Sequence, residues 1–577
     1  MSTWQEQTLD ASLIAAHVEH GVDELVARLL ALRGITPEAT EQYFFPSLKQ
    51  LAKPNDLPGI TSAVNRILSY IRTSKDQPPI VIFGDYDCDG ISATAIMMTA
   101  LNALKEGIAT PFIPERLSEG YGMSDASVER LLRDHPGVKM VLTVDNGINS
   151  AEHIKKLHHS GVEVIVTDHH LADENLPIIR QYASALVNPK VDAPESLADL
   201  CGAGVAFMLA NALVSTAKER GFYQGPPLGG PLLILAGLAT ITDIMPIKGQ
   251  NRIIVSEALK RFRQLAPIGL LELFTRASKF AAPTLSTKDF GFVIGPRINA
   301  AGRVARCETA LELLLETDRE MARALAQRVD NYNTDRKQIE SDMTQTAMAQ
   351  IVEGAPAQVI WIPDGHQGVA GIVASRIMER CPGGPVAVIV GAHGSARAPN
   401  GFNVRTALST ASNALTRFGG HAQAGGFSVK DGMVEEFRKL FTDACALQKA
   451  DIEAGGTSPD IVYYDAEVKG NELTISLAEE VHMMEPFGEG NEEPLFCIRG
   501  AYMNSVRTLG MDGKHLSIEF KDRSIPKAVW WAHGDMVEEL RKNSSRPIDV
   551  LFHIEISDYG SRHVELRLVD LNWSEIK

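Results

Sequence analysis

Cysteine is scarce in this chain and shows no pairing pattern. The six cysteines, Cys88, Cys201, Cys307, Cys381, Cys445 and Cys497, are scattered over 577 residues with no C-x-x-C pair. That argues against a disulfide framework or a cysteine zinc site and leaves reduced, mostly buried thiols. No apolar run is long enough to span a bilayer, and the opening MSTWQEQTLD lacks the basic and apolar regions of a signal peptide. The expected location is therefore cytoplasmic, with no membrane partner. A surplus of positive charge is also missing, since 56 Lys and Arg stand against 72 Asp and Glu for a net charge of −16. Sequence-independent nucleic-acid binders are usually basic, so the balance argues mildly against one. A local basic groove still holds a polyanion whatever the total, and a metal site adds carboxylates that its cations neutralise.

What is present divides into several domains, as the length requires. Residues 1–60 read as a helical lead-in with Pro-containing turns. From 61 to 254, short apolar runs (PPIVIFG, VKMVLTV, VEVIVT) alternate with helical patterns, which predicts an α/β domain on a parallel sheet. Residues 255–353 are helical and charged, and REMARALAQRVDNYNTDRKQIESDMTQTAMAQIV contains no Pro or Gly, so it predicts a long connecting helix, with one break allowed. A second α/β domain follows over 354–450, with KADIEAGGTSPD as a linker. The alternating runs HLSIEF, KAVWWA, IDVLFHIEI and HVELRLVDL then predict a β domain over 456–577, of OB-like barrel type.

The chemistry gathers where the predicted parallel strands end. Asp85, Asp87 and Asp89 follow the first strand in VIFGDYDCDG, Asp145 follows another in TVDNGI, and Asp168, His169 and His170 follow a third in VTDHH. Asp243, in LATITDIMP, follows a further apolar run. Open parallel sheets bind ligands beyond these strand ends. One Asp after a strand is ordinarily a turn former or helix N-cap, and a His-His pair is ordinarily a surface turn. Several crowded carboxylates cost repulsion and desolvation unless a cation offsets them. Carboxylates with imidazole and without thiolate suit Mn²⁺ or Mg²⁺, and two such ions would activate water and clamp a phosphate. Cys88 sits within the motif but reads as a small filler between better ligands.

The order of GDYDCDG, TVDNGI, VTDHH and TDIMP resembles the DHH phosphoesterase superfamily. GPRINAAGR, HQGVAGIVASR, FGGHAQAGG and MEPFGEGNEEPLF further resemble its bacterial RecJ exonuclease branch over nearly the whole chain. The resemblance implies a DHH catalytic domain, a DHHA1 substrate-binding domain and an OB-like domain. It implies a 5′→3′ exonuclease specific for single-stranded DNA that uses two Mn²⁺ or Mg²⁺ ions and releases nucleoside monophosphates. By motif match, Asp87, Asp89, Asp145, His169 and Asp243 are the metal ligands, with Asp145 bridging. Asp85 and Asp168 support them, and His170 contacts the scissile phosphate. Asn146 helps to shape its loop. Gly419, Gly420 and His421 approach the substrate, and Arg303, Ser395 and Arg397 form a pocket for the 5′-terminal phosphate, a role that suits the planar fork of Arg. A single-strand-binding protein and a RecQ-type helicase are the implied partners of a monomer.

One departure stands out. SARA, residues 395–398, replaces the usual S-G-R-S of the family, so Ala398 lacks a hydroxyl and a weaker 5′-phosphate preference is expected. In the β domain, Trp530, Trp531, Phe552 and Tyr559 are stacking candidates, although aromatics of small barrels are mostly core. Two rival readings stand beside the exonuclease. A DHH phosphodiesterase for short oligonucleotides or cyclic dinucleotides is disfavoured by the long helix and β domain. A catalytically dead replication scaffold is disfavoured because every expected ligand is present.

Overall fold

The computed structural model describes residues 3–9, 11–73, 77–116, 118–120, 122–277, 285–454, 461–558 and 561–574. The chain divides into two compact units, one of residues 51–245 and 249–459, the other of residues 1–50, 246–248 and 460–577. Among the described residues no helix is long and apolar enough to cross a membrane.

The larger unit is built on two sheets. In the first, β1 (Ile80–Phe83), β2 (Ala109–Phe112), β3 (Met140–Thr143), β4 (Glu163–Thr167) and β5 (Ala185–Val187) run parallel in the order β2-β1-β3-β4-β5. β1 and β3 are buried at every position, which explains their continuous apolar runs where alternation would mark a half-exposed sheet. Helix α1 (Cys88–Leu104) follows β1, while α2 (Gly202–Glu219) and α3 (Gly229–Thr242) pack against α1 and each other. LLILAGLATIT is thus helical: Asp243 caps the end of α3, not of a strand. A helix buried on nearly all sides loses the period that separates it from a buried strand.

The predicted connector is mostly part of this first body. Phe262, Leu270, Leu273, Phe290, Ile298 and Leu311 lie in the same core as Ile82, Ile91 and Leu142. The long helix α4 (Arg319–Met348) runs 30 residues without a break, capped by Asp318 accepting from the Met321 amide. Its C-terminal part enters the second core through Met343 and Ala347.

The second sheet comprises β6 (Gln358–Ile362), β7 (Val386–Val390), β8 (His393–Arg397), β9 (Leu415–Gly420) and β10 (Ala424–Val429), in the order β9-β10-β8-β7-β6. Only β6 and β7 pair in parallel. Helix α5 (Ala370–Arg380) covers one face over β7 and β8, and α6 (Val434–Ala454) belongs to the core of the other. The first part of the predicted linker is the last turns of α6; residues 455–460 lie outside the described residues.

In the smaller unit, a seven-stranded sheet runs in the order 466–467, 496–501, 548–557, 563–573, 528–530, 515–520 and 503–509. The N-terminal segment is no free lead-in. Thr3–Glu6 pairs in parallel with Ile461–Tyr464, and Val26, Leu29, Leu30 and Tyr43 share the core of the seven-stranded sheet. Trp530 and Phe552 are buried there, whereas Trp531 is 52% exposed. Tyr559 lies outside the described residues.

Candidate metal centre and phosphate pocket

The first sheet delivers the predicted carboxylates to one place. Asp87 caps α1, accepting from the Asp89 and Gly90 amides at 3.0 Å each. Asp89 lies in the first turn, and its two oxygens accept from the Gly202 and Ala203 amides at 2.7 Å. The positive end of α2 therefore faces this carboxylate. Past β3, Asp145 adopts φ 61°, a left-handed conformation that Asp and Asn tolerate better than most residues. Asn146 ties the ends of β1 and β3 together, donating to the Phe83 and Val144 carbonyls at 3.3 and 3.0 Å.

Past β4 the two histidines take different parts. Nε2 of His169 lies 3.2 Å from Asp145, 3.6 Å from Asp243 and 3.7 Å from Asp89. Its buried Nδ1 has no hydrogen-bond partner. Burial and then the neighbouring His170 lower its pKa to about 3, so it is neutral, the form that ligates metal. His170 places Nδ1 2.7 Å from Oδ1 of Asp168. Burial opposes its charge, but the hydrogen bond and charge of Asp168 prevail and raise it to about 9. Asp168 also accepts from the Ile148, His169 and His170 amides, which fixes the turn.

The potential ligand atoms form three overlapping sets, each with its atoms within 4.8 Å of one another: Asp85, Asp87 and Asp145; Asp89, His169 and Asp243; and Asp145, His169 and His170. Asp85 thus stands among the potential ligands themselves, buried, with Oδ1 lacking a hydrogen-bond partner. Burial, then the charge of Asp87, pushes Asp89 up to about 6, and burial, then the charge of Asp89, pushes Asp243 up to about 8. Burial and neighbouring carboxylates hold Asp85 and Asp145 well above the usual range. Buried carboxylates that resist ionisation together, with an orphaned oxygen and imidazole nitrogen, fit divalent cations. The nearby thiols are not alternative ligands, since burial raises Cys88 to about 12 and Cys201 well above its ordinary value.

Beside the carboxylates stands a cationic pocket. Arg303 Nη1 donates to the Gly368 carbonyl at 3.1 Å, and burial followed by the charge of Arg116 lowers its pKa to about 10. Arg397 is lowered by the same two causes. A Cβ on Gly371 would lie 2.6 Å from Arg397 Nη2 and 3.5 Å from Ser395 Oγ, so these two groups meet above one glycine. Among the described residues none of the three arginines is ion-paired. Arg116, its guanidinium 4.9 Å from the centre of the Tyr86 ring, escaped the sequence reading. Its position just past β2 obeys the same strand-end rule that located the acids.

Ala396 and Ala398 belong to the core on the opposite face of β8. The departure in SARA therefore lies on the core side of the strand and leaves Ser395 and Arg397 in place. Gly419 and Gly420 end β9. Gly420 has φ 135°, and a Cβ there would lie 2.4 Å from the Ala424 carbonyl oxygen. His421 follows, and with Asn146, Asp168, His170 and Lys190 it lines a cavity of about 320 Å³.

Comparison with known proteins agrees with this architecture. Residues 79–228 match the DHH family N-terminal domain, 354–447 the DHHA1 domain and 464–570 the RecJ OB domain. The chain is 34% identical over 554 residues to the single-stranded-DNA-specific exonuclease RecJ of Haemophilus influenzae, covering 91% of this chain and 92% of that one. It is 34% identical over 514 residues to the RecJ of Thermus thermophilus, covering 88% and 72%. The crystal structure of RecJ from Thermus thermophilus in complex with Mn²⁺ superposes with a TM-score of 0.82 at 30% identity, covering 100% of this chain and 80% of that one. With the strand-end acids and three domain matches in one order, the chain belongs to the RecJ family of the DHH superfamily.

Proposed function

We propose that this chain is a metal-dependent 5′→3′ exonuclease that hydrolyses single-stranded DNA to nucleoside 5′-monophosphates in DNA repair and recombination. The observation that carries the reading is the placement of a pocket of arginines, without ion pairs among the described residues, beside an acidic cluster in which Asp145 belongs to two ligand sets. Mn²⁺ or Mg²⁺ ions held by Asp87, Asp89, Asp145, His169 and Asp243, with Asp85 among them, supply when bound an activated water and a positive clamp on phosphate. Arg303, Arg397, Ser395 and Arg116 hold the 5′-terminal phosphate and so set where the strand is cut. His170, kept protonated by Asp168, donates to the scissile phosphate as charge develops, and His421 with the Gly419 and Gly420 amides closes the opposite side. The smaller unit binds the single strand, with Trp531 as an exposed stacking surface. A RecQ-type helicase and a single-strand-binding protein supply its substrate to a cytoplasmic monomer.

Digestion of end-labelled single- and double-stranded DNA with Mn²⁺, Mg²⁺ or EDTA tests the reading. A 5′ single strand is expected to be degraded to mononucleotides, EDTA to abolish the reaction, and blunt duplex to resist. Attack from the 3′ end, or equal digestion of blunt duplex, overturns it.

A further inference from the structure

The face of the second sheet that α5 covers over β7 and β8 carries a polar cluster toward β9 and β10, beyond the pocket just described. Arg417, Ser428 and His393 stand in one cross-strand row of β9, β10 and β8. Arg417 Nε donates to Ser428 Oγ at 3.1 Å, and His393 Nδ1 lies 3.0 Å from the same oxygen. Ser428 is buried and Arg417 exposed. The guanidine Nε can only donate, so the hydroxyl accepts from it, and its remaining hydrogen-bonding capacity meets Nδ1 of His393. Arg417 keeps its terminal nitrogens, and His393 its Nε2, for another partner. Among the described residues no carboxylate pairs with either.

The next row on this face is Gly419, Gly426 and Ser395. A Cβ added at either glycine would meet nothing within 4 Å, so open ground lies beside Ser395 in this row. Rows two residues apart are separated by about 7 Å of strand, the scale of one nucleotide in an extended chain. The row after that holds Ala424 and Arg397 and adjoins His421, whose amide donates to the Ala424 carbonyl at 2.8 Å. Along the strands from His421 the order is therefore Arg397, then Ser395 with the two glycines in one row, and then Arg417 with His393.

We infer that Arg417, Ser428 and His393 form a second phosphate subsite, one nucleotide beyond the 5′-phosphate pocket, which seats strands in a shifted register and yields dinucleotides. The inference rests on the exonuclease reading and extends it. In the shifted register the 5′-terminal phosphate sits on Arg417 and His393, the next phosphate occupies the Ser395–Arg397 pocket, and the linkage between the second and third nucleotides reaches the acidic cluster. Water adds its oxygen to that phosphorus, the P–O3′ bond breaks, and the departing 3′ oxygen takes up a proton. The products are a 5′-phosphorylated dinucleotide with a 3′-hydroxyl and a shortened strand bearing a new 5′-phosphate.

Mass-spectrometric analysis of the first products, under single turnover with the full-length protein and Mn²⁺, tests this. Wild type is expected to release a minor dinucleotide fraction from 5′-phosphorylated strands. Arg417→Ala should lower the dinucleotide-to-mononucleotide ratio about tenfold, the scale of one charge-assisted contact, while mononucleotide release persists. Arg417→Lys should restore part of the ratio, and His393→Ala should lower it. On 5′-hydroxyl strands Arg417→Ala should change nothing, because the terminus offers no phosphate to hold. Absence of dinucleotide from an active wild type, or an unchanged ratio in Arg417→Ala, overturns the subsite. A wild type that releases no nucleotide at all overturns the exonuclease reading instead.

Discussion

A Cβ atom placed on Gly202 would lie 2.5 Å from the Cβ of Asp145. Helix α2 thus begins against the carboxylate shared by two ligand sets and turns its first two amides to Asp89. Asp145 is also held in a left-handed backbone conformation. Asn keeps that shape and tolerates that conformation, so Asp145→Asn should fold normally. Its hydrolysis should fall by about 10²–10³-fold or more, the scale of losing one preorganised group at a reacting centre, with strand binding retained. Rates across a Mn²⁺ titration, alongside melting and binding curves, check this. Near-normal turnover would remove Asp145 from the bridging role.

The acidic cluster makes metal-free stability depend on pH. Asp89 and Asp243 have folded pKa values of about 6 and about 8, raised by burial and neighbouring carboxylates. Between the ordinary carboxylate range and those values the folded chain binds more protons than the unfolded one, so raising the pH favours unfolding. The Tm of chelator-treated protein should fall from about pH 5 to about pH 8, and Mn²⁺ should remove most of that fall. A flat or rising Tm without metal contradicts the assignment.

Arg397→Ala should weaken the preference for a 5′-phosphorylated strand more than it slows hydrolysis of a 5′-hydroxyl strand. Loss of an arginine–phosphate contact costs roughly 1.5–3 kcal/mol. The double variant with Arg303→Ala should be less than additive if both grip one phosphate. Because Ala398 faces the core, Ala398→Ser should leave the preference unchanged and cost about 1–3 kcal/mol of stability through a buried hydroxyl. The readouts are kcat/KM on the two strands and a denaturant melt. An equal loss on both strands removes Arg397 from 5′-end recognition.

Trp531 is 52% exposed, with its ring edge-on to His515 at 4.7 Å. Trp531→Ala should leave the melt unchanged and weaken binding of a fluorescent single strand by about 1–3 kcal/mol. Trp530, buried and stacked on His533 at 4.0 Å, should instead lower stability when removed. Unchanged affinity in Trp531→Ala would assign the single-strand surface to other residues.

The positions of Asp85, Asp87, Asp145 and Asp168 were legible because continuous apolar runs broken by helices imply buried parallel strands, and such sheets present their strand ends to ligands. Asp243 is legible as an acid after an apolar run, but not as a helix end, since the apolar α3 carries no period to separate helix from strand. Arg116 gave no motif and was missed. The side on which Ala398 lies is a matter of strand register, which the residues around SARA do not fix by alternation alone. The pairing of Thr3–Glu6 was illegible for another reason: its partner is Ile461–Tyr464, and no local pattern reports a distant neighbour.

That pairing bears on how the protein is made. Trp4 donates its indole N–H to Asp570 at 3.0 Å across 566 residues of chain. At ordinary rates of synthesis the ribosome needs roughly half a minute to two minutes to supply the second partner after the first. During that interval Val26, Leu29 and Leu30, which end in the core of the seven-stranded sheet, have no sheet to cover them. The segment that carries Val26, Leu29 and Leu30 thus stays an uncovered apolar surface until the strands of residues 466–573 have been made.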